Sequence, residues 1–371
     1  MEWYDEAFLC AERKYLNTYK SAEQRGIIPY RGKGGEWLAP PYDGNSWWTC
    51  GFYPALLLQL YKGGGDKRLL SEARRTEGLL QAELTRFSCL NHDVGFMYLL
   101  SAGADYKLFG GESSKTATLH AANLLAGRFN PCGFIRAWNG DKSGWAIVDS
   151  LMNLPLLYWA SEVTGDPRFR KIACIHADTA LRAFVRDDGS CNHIVIFDSE
   201  TGEALDAPAG QGCAKGSSWS RGQAWALYGF TLSYIATGFE RYLAAAEKIA
   251  DYFISNIRED GLTLCDFRQP KDEELFDNIA GACAACGLME LKKHSKSGAE
   301  KYESAADKML LAIWEKCCDR SESVCGLTQK CTAAYNDDGA GRNTNILYGD
   351  YFFIEAICKK RGTDIMPWTR S

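Results

Sequence analysis

Two kinds of helical pattern alternate along the chain. Residues 151–162 and 224–236 are apolar on nearly every side, whereas the stretches that follow them carry one apolar face. Phe169, Ile172, Ala173, His176, Ala177 and Ala180 recur at the helical period, and so do Tyr242, Ala246, Ile249, Ala250 and Phe253. Short segments of small residues separate the two kinds, at 63–66, 110–112, 164–167, 237–239 and 297–299. Glycine suits the left-handed position that ends a helix, and Asp166 before Pro167 reads as an N-cap with proline opening the next helix. The repeating unit is therefore a helical hairpin.

A helix that is apolar all round has to be buried, while an amphipathic one can face water. Alternation of the two predicts an inner and an outer ring, an all-α toroid held in one domain over residues 1–371. Five hairpins are visible, and residues 2–20 can contribute to a sixth. An open solenoid would repeat at a tighter, fixed period, whereas the glycine turns here lie 45 to 73 residues apart. Glycine- and aromatic-rich loops at 26–51, 91–95, 133–144, 187–220 and 336–350 would gather at the ends of such a ring, where a pocket can form.

Composition narrows the function classes. A net charge of -5 with scattered basic residues speaks against nucleic acid or an anionic membrane surface as partner. No uncharged apolar run approaches a membrane span. The acidic start, Met1-Glu2-Trp3-Tyr4-Asp5, lacks the basic and apolar regions of a signal peptide. Fifteen cysteines is an odd count, and Cys174, Cys283 and Cys286 sit in helical stretches where free thiols pack as small hydrophobes. Together these place the chain in a reducing cytoplasm. Cys283 and Cys286 have C-x-x-C spacing but no second pair at zinc distance, so no metal and no cofactor is expected. The pattern does not specify an oligomeric state.

Three segments carry candidate chemistry. In Asn91-His92-Asp93-Val94-Gly95-Phe96 a carboxylate sits beside a histidine at a loop-to-helix junction, where a plain N-cap is the structural alternative. Asp149 lies in a strongly apolar run, Gly144 through Asn153, and acids are rarely buried there unless paired or functional. Burial would raise its pKa and let it hold a proton, as a general acid must. In the third segment, residues 217–225, Trp219 and Trp225 flank Arg221 at the start of an inner helix. Arginine can fork to a carboxylate and tryptophan can stack on a sugar ring. Trp37, Trp47, Trp48, Trp138 and Trp145 also fall in or beside the loops. Serine-hydrolase chemistry is disfavoured because no G-x-S-x-G occurs, and no glycine-rich phosphate loop follows a strand.

Six stretches in register resemble the unsaturated glucuronyl hydrolases of glycoside hydrolase family 88. They are Trp47 to Phe52, Asn91 to Phe96, Asp149 to Leu154, Ser218 to Trp225, Asp277 to Ala280 and Tyr348 to Phe353. The resemblance implies an (α/α)6 barrel, a toroid of six helical hairpins, acting on a small unsaturated oligosaccharide. It implies Asp149 as general acid and base, and Asp93 as the second carboxylate that orients substrate and Asp149. It further implies a uronate subsite lined by Arg221, Trp219 and Trp225, with His193 and Gln211 in the pocket. Trp48 would offer a stacking face and His92 a polar contact. Cys50 and Ser150 depart from the serine and asparagine usual in the family, and the 339–348 loop is less family-like. The implied reaction is hydration of a C4=C5 double bond in a terminal uronic acid, followed by release of the partner sugar. An unsaturated rhamnogalacturonyl hydrolase on the same barrel is the alternative enzyme. A non-catalytic helical-repeat carbohydrate-binding protein is the alternative outside catalysis.

Overall fold

The computed structural model describes residues 1–41, 44–337 and 339–370. Tyr42, Asp43, Asp338 and Ser371, three of them within the expected loops at 26–51 and 336–350, lie outside the described residues. The chain opens with α1 (Trp3–Gln24) and continues with the hairpin α2 (Phe52–Gly64) and α3 (Lys67–Glu83). A π-helix over Gly95–Gly103 runs into α4 (Ala104–Phe109) and folds back as α5 (Glu112–Ala126). Three more hairpins follow. They are α6 (Ser150–Thr164) with α7 (Pro167–Ala183), α8 (Ser220–Thr237) with α9 (Glu240–Ser255), and α10 (Asn278–Leu291) with α11 (Ala299–Cys317). Helix α12 (Leu347–Arg361) is the last.

Burial sorts these helices into two rings. Every residue of α10 is buried, as are residues 347–358 of α12, while α9 buries only Tyr242, Leu243, Ala245, Ala246, Ile249, Ala250 and Phe253. The inner ring runs α2, the π-helix, α6, α8, α10 and α12, and α12 packs back on α2 to close it. The sixth hairpin unites the chain ends, with α1 as the outer partner of α12. The fold is an (α/α)6 barrel. Each large side chain that the inner ring removes from water contributes roughly 1.5–3 kcal/mol, and a continuous aromatic layer of Phe52, Phe96, Trp225 and Phe352 fills its centre.

The glycine turns act as anticipated at Gly65, Gly165 and Gly238, which end helices with φ of 86°, 72° and 69°. Asp166 caps α7 by accepting from the Arg168 N–H at 2.8 Å. Gly298 differs, since it precedes α11 at φ -100° and does not end α10. The chain first turns through 292–297, where Ser295 Oγ accepts the Gly298 N–H.

Short antiparallel sheets, which helical periodicity cannot register, organise the loops. The one that matters most pairs Trp145–Ile147 with Ile194–Phe197, and the latter with Ala204–Asp206. Because each hairpin returns antiparallel, the inner helices all run the same way. Their N-terminal ends meet at one mouth of the barrel, where six helix dipoles favour an anion.

Candidate active site

The mouth is built from the residues that precede these inner helices. Asp149 occupies the cap position of α6, yet its side chain makes no capping hydrogen bond. Asp93 stands before the π-helix and its carboxylate is likewise not used as a cap; it accepts from Asn153 Nδ2 at 3.1 Å through Oδ1. Both carboxyls are buried, at 6% exposure. The π-helix was not legible in the sequence, and such wide turns occur often at functional sites.

The loop sheet brings His193 to Asp149. Ile147 pairs with Ile194, the Val148 N–H donates to the His193 carbonyl at 2.9 Å, and His193 Nε2 lies 3.5 Å from Asp149 Oδ2. The Gln211 N–H donates to His193 Nδ1 at 2.9 Å, which assigns the ring proton to Nε2, facing Asp149. Gly210 makes this contact possible. Its φ is +60°, and an added Cβ would fall 2.0 Å from His193 Nδ1. Trp219 packs its ring on His193, 4.5 Å between centroids.

Burial, reinforced by the negative charge of Asp149, pushes the Asp93 carboxyl up to about 8. A proton is therefore held on Asp93 at neutral pH. Two carboxyls in one dry site cannot both ionise freely. Burial pushes His92 down to about 3 and keeps it neutral, with Nε2 3.3 Å from Asp93 Oδ1. His92 is fully buried and sets its ring against the Asp93 carboxylate.

Arg221 is anchored from within the fold. Its Nη1 donates to Asp277 Oδ2 at 2.9 Å and to the Thr332 carbonyl at 2.7 Å, and Nη2 donates to the Ala333 carbonyl. The terminal fork is thus spent inside the fold, and only Nε is left without a partner among the described residues. Burial pushes Asp277 up to about 6 despite the opposing guanidinium, so the pair is ionised at neutral pH. Gln211 Nε2 donates to the same Ala333 carbonyl at 2.6 Å, tying the 332–333 segment to the histidine loop. Trp225 is fully buried against Phe96 and Phe352, which makes it the floor of the barrel centre. Trp48 is half-buried, with Tyr348 at 4.9 Å, and keeps part of its ring uncovered. A cleft of about 430 Å³ lies between Tyr30, Arg31, Leu38, Asp337, Ala340 and Gly341.

Asn153 and Tyr348 stand in the family-like stretches without an anticipated role. The i, i+4 spacing of Asp149 and Asn153 on one helix is the signal for the first. His176, an expected core residue, receives the Ile135 N–H on Nδ1 and contacts Ser150 Oγ at 2.6 Å, steadying the turn beside Asp149. Among the described residues, no group of three or more His, Cys, Asp or Glu side chains is arranged to hold a metal ion. Burial pushes the Cys283 and Cys286 thiols well up, as packing residues.

The Glycosyl Hydrolase Family 88 model matches residues 36–339. The chain belongs to this family. An unsaturated glucuronyl hydrolase of Bacillus sp. strain GL1 is 35% identical over 325 residues, 85% of this chain and 86% of its own. An unsaturated chondroitin disaccharide hydrolase of Streptococcus agalactiae is 33% identical over 330 residues, 85% and 81% of the two chains. The solved structure of the Bacillus sp. GL1 enzyme, described as responsible for the degradation of glycosaminoglycan, superposes with a TM-score of 0.90 at 30% identity, covering 100% of this chain and 99% of that one. Family 88 membership makes the chain a glycosidase, and the carboxyl pair sits at the mouth of the family's barrel.

Proposed function

We propose that this glycosidase releases the 4,5-unsaturated uronic acid from the non-reducing end of small glycosaminoglycan-type oligosaccharides left by lyases, by hydrating the C4=C5 double bond. One observation supports the placement above all. Asp149 Oδ2, His193 Nε2, Arg221 Nε and Trp219 Nε1, on four side chains that adjoin one another, are buried polar atoms with no hydrogen-bond partner among the described residues. Each such atom costs about 1–3 kcal/mol, and a cluster of them is explained by a polar ligand that completes it. The converging helix N-termini and the Arg221 Nε–H suit the uronate carboxylate, and the open part of the Trp48 ring suits a sugar face.

The carboxyl pair begins the cycle with one proton. In the proposed reaction that proton is delivered through Asp149 to C4, and positive charge develops at C5, shared with the ring oxygen. Water adds at C5 and returns a proton through Asp149 to Asp93, so the pair ends as it began. The C5 hemiketal opens to a ketone, leaving C1 as a hemiacetal that expels the partner sugar with its proton. Asp93 keeps the pair singly protonated, and His193, with its Nε2 proton toward Asp149, holds that carboxylate while it is charged. A geometry of two carboxyls flanking C1, as in direct glycosidic cleavage, is not needed.

No helix among the described residues is long and apolar enough to cross a membrane. Fifteen free thiols fit a reducing compartment, and we place the enzyme in the cytoplasm, acting on imported fragments. The test is the near-ultraviolet absorbance of unsaturated chondroitin, hyaluronan, heparin and rhamnogalacturonan disaccharides mixed with the protein. Loss of the double-bond signal on a glycosaminoglycan fragment, absent in Asp149→Asn, is expected. Loss on the rhamnogalacturonan fragment alone would move the substrate class, and no loss on any would overturn the reading.

A further inference from the structure

Asn153 touches both carboxyl-bearing segments. It is fully buried in the first turn of α6, four residues after Asp149. Its Nδ2 donates to Asp93 Oδ1 at 3.1 Å and to the Asp149 main-chain carbonyl at 3.2 Å, while its Oδ1 accepts the Phe96 N–H at 2.9 Å. These three contacts leave no freedom to the amide. A flipped amide would set oxygen against two oxygens and NH2 against an N–H, so the network allows only the orientation present. The backbone also makes room for it: a Cβ on Gly95 would fall 2.4 Å from Asn153 Oδ1.

We infer that Asn153 is a positioning residue, a clasp that fixes the Asp93 segment against the Asp149 turn and reserves Asp93 Oδ1 as an acceptor, leaving Oδ2 as the oxygen that carries the proton. A carboxylic acid accepts through its carbonyl oxygen and donates through its hydroxyl. An N–H held on Oδ1 therefore selects which oxygen is the hydroxyl. The same N–H favours the ionised form of Asp93, opposing the burial that raises it. Asn153 thus acts on the geometry of the pair and on the pH at which it loses its last proton. It does not reach substrate; its effect passes through Asp93 and Asp149.

This rests on the roles proposed for those two carboxyls, so its test carries a readout independent of turnover. Two variants serve, Asn153→Ala and Asn153→Asp, each checked for wild-type unfolding behaviour. In kinetics on the disaccharide that wild type consumes, we expect kcat to fall roughly 10- to 100-fold, within the range one positioned proton-transfer group supplies, with KM changed less than about threefold. The basic limb of the pH–kcat profile should move to higher pH in Asn153→Ala, because a donor to the carboxylate is gone. Asn153→Asp should regain activity as pH falls, because a protonated new carboxyl can donate in place of the amide. Separately, a carboxyl-carbon NMR titration, with the Asp93 signal identified by its loss in Asp93→Asn, should show Asp93 titrating higher in Asn153→Ala than in wild type. Wild-type kcat and an unmoved basic limb in both variants would overturn the inference. If wild type consumes none of the substrates, the functional reading fails by itself, and the titration alone decides: an upward shift supports the clasp and an unmoved Asp93 overturns it.

Discussion

Replacing Asp93 by asparagine should make the protein more stable at neutral pH while disabling it. The unfolded chain lets this carboxyl ionise near its ordinary 3.8, whereas the fold pushes it up to about 8. The folded value lies above the unfolded one, so the protonated group costs nothing below about pH 4 and an increasing amount as pH rises toward 8. At about 1.36 kcal/mol per tenfold change in the proton equilibrium, holding the proton at pH 7 costs at most about 4 kcal/mol. Water at the mouth and an effective dielectric nearer 20 than 4 reduce this, and we expect a gain of roughly 2 kcal/mol for the variant. The new amide can keep the Asn153 contact through its oxygen and turn its NH2 toward the charge of Asp149. Urea unfolding of both proteins at several values from about pH 5 to about pH 8 is the assay. The stability gap should favour Asp93→Asn and widen with pH. A variant equal to or weaker than wild type near pH 7.5, or a gap that does not widen, would refute the electrostatic reasoning.

Asp149→Asn should lower kcat by roughly 10²- to 10⁴-fold, with KM little changed, in steady-state kinetics; retention of most activity would remove Asp149 from its role. Arg221→Met strands Asp277, which is buried and charged, and should lose about 3–5 kcal/mol in urea unfolding. Without the guanidinium Asp277 rises further above its unfolded value, so this loss should grow as pH increases from about 5 to about 8. Gly210→Ala forces a side chain into a left-handed position and against the His193 ring. Its kcat should fall at least roughly tenfold, with a stability loss of only about 1–3 kcal/mol, and unchanged turnover would show that His193 orientation is unimportant.

The fold was readable because its two patterns have different burial requirements. Residues 224–236 could only be an inner helix, and Ala246, Ile249, Ala250 and Phe253 could only be one face of an outer one. Ring closure was less legible, since the sixth hairpin joins α12 to α1 from opposite chain ends and leaves no local signal. At the site, apolar surroundings singled out Asp149, the loop that sets a carboxylate beside His92 singled out Asp93, and the family resemblance added His193 and Gln211. Sequence could not show that Arg221 spends its fork on Asp277 and two carbonyls, because those partners lie 56 and more residues away. Nor could it show that Asp93 is held protonated at neutral pH. That depends on the packing of Asp93 against His92 and Asn153, and the π-helix that sets it has no periodic signature.

The central claim is hydration of the double bond in place of direct cleavage at C1, and the product formed in D2O tests it most directly. With the disaccharide that the protein consumes, NMR of the earliest product should show one deuterium at C4, delivered to a single face, as the partner sugar appears. Release of the partner sugar with a C4 that carries no deuterium and a double bond still intact would contradict the account.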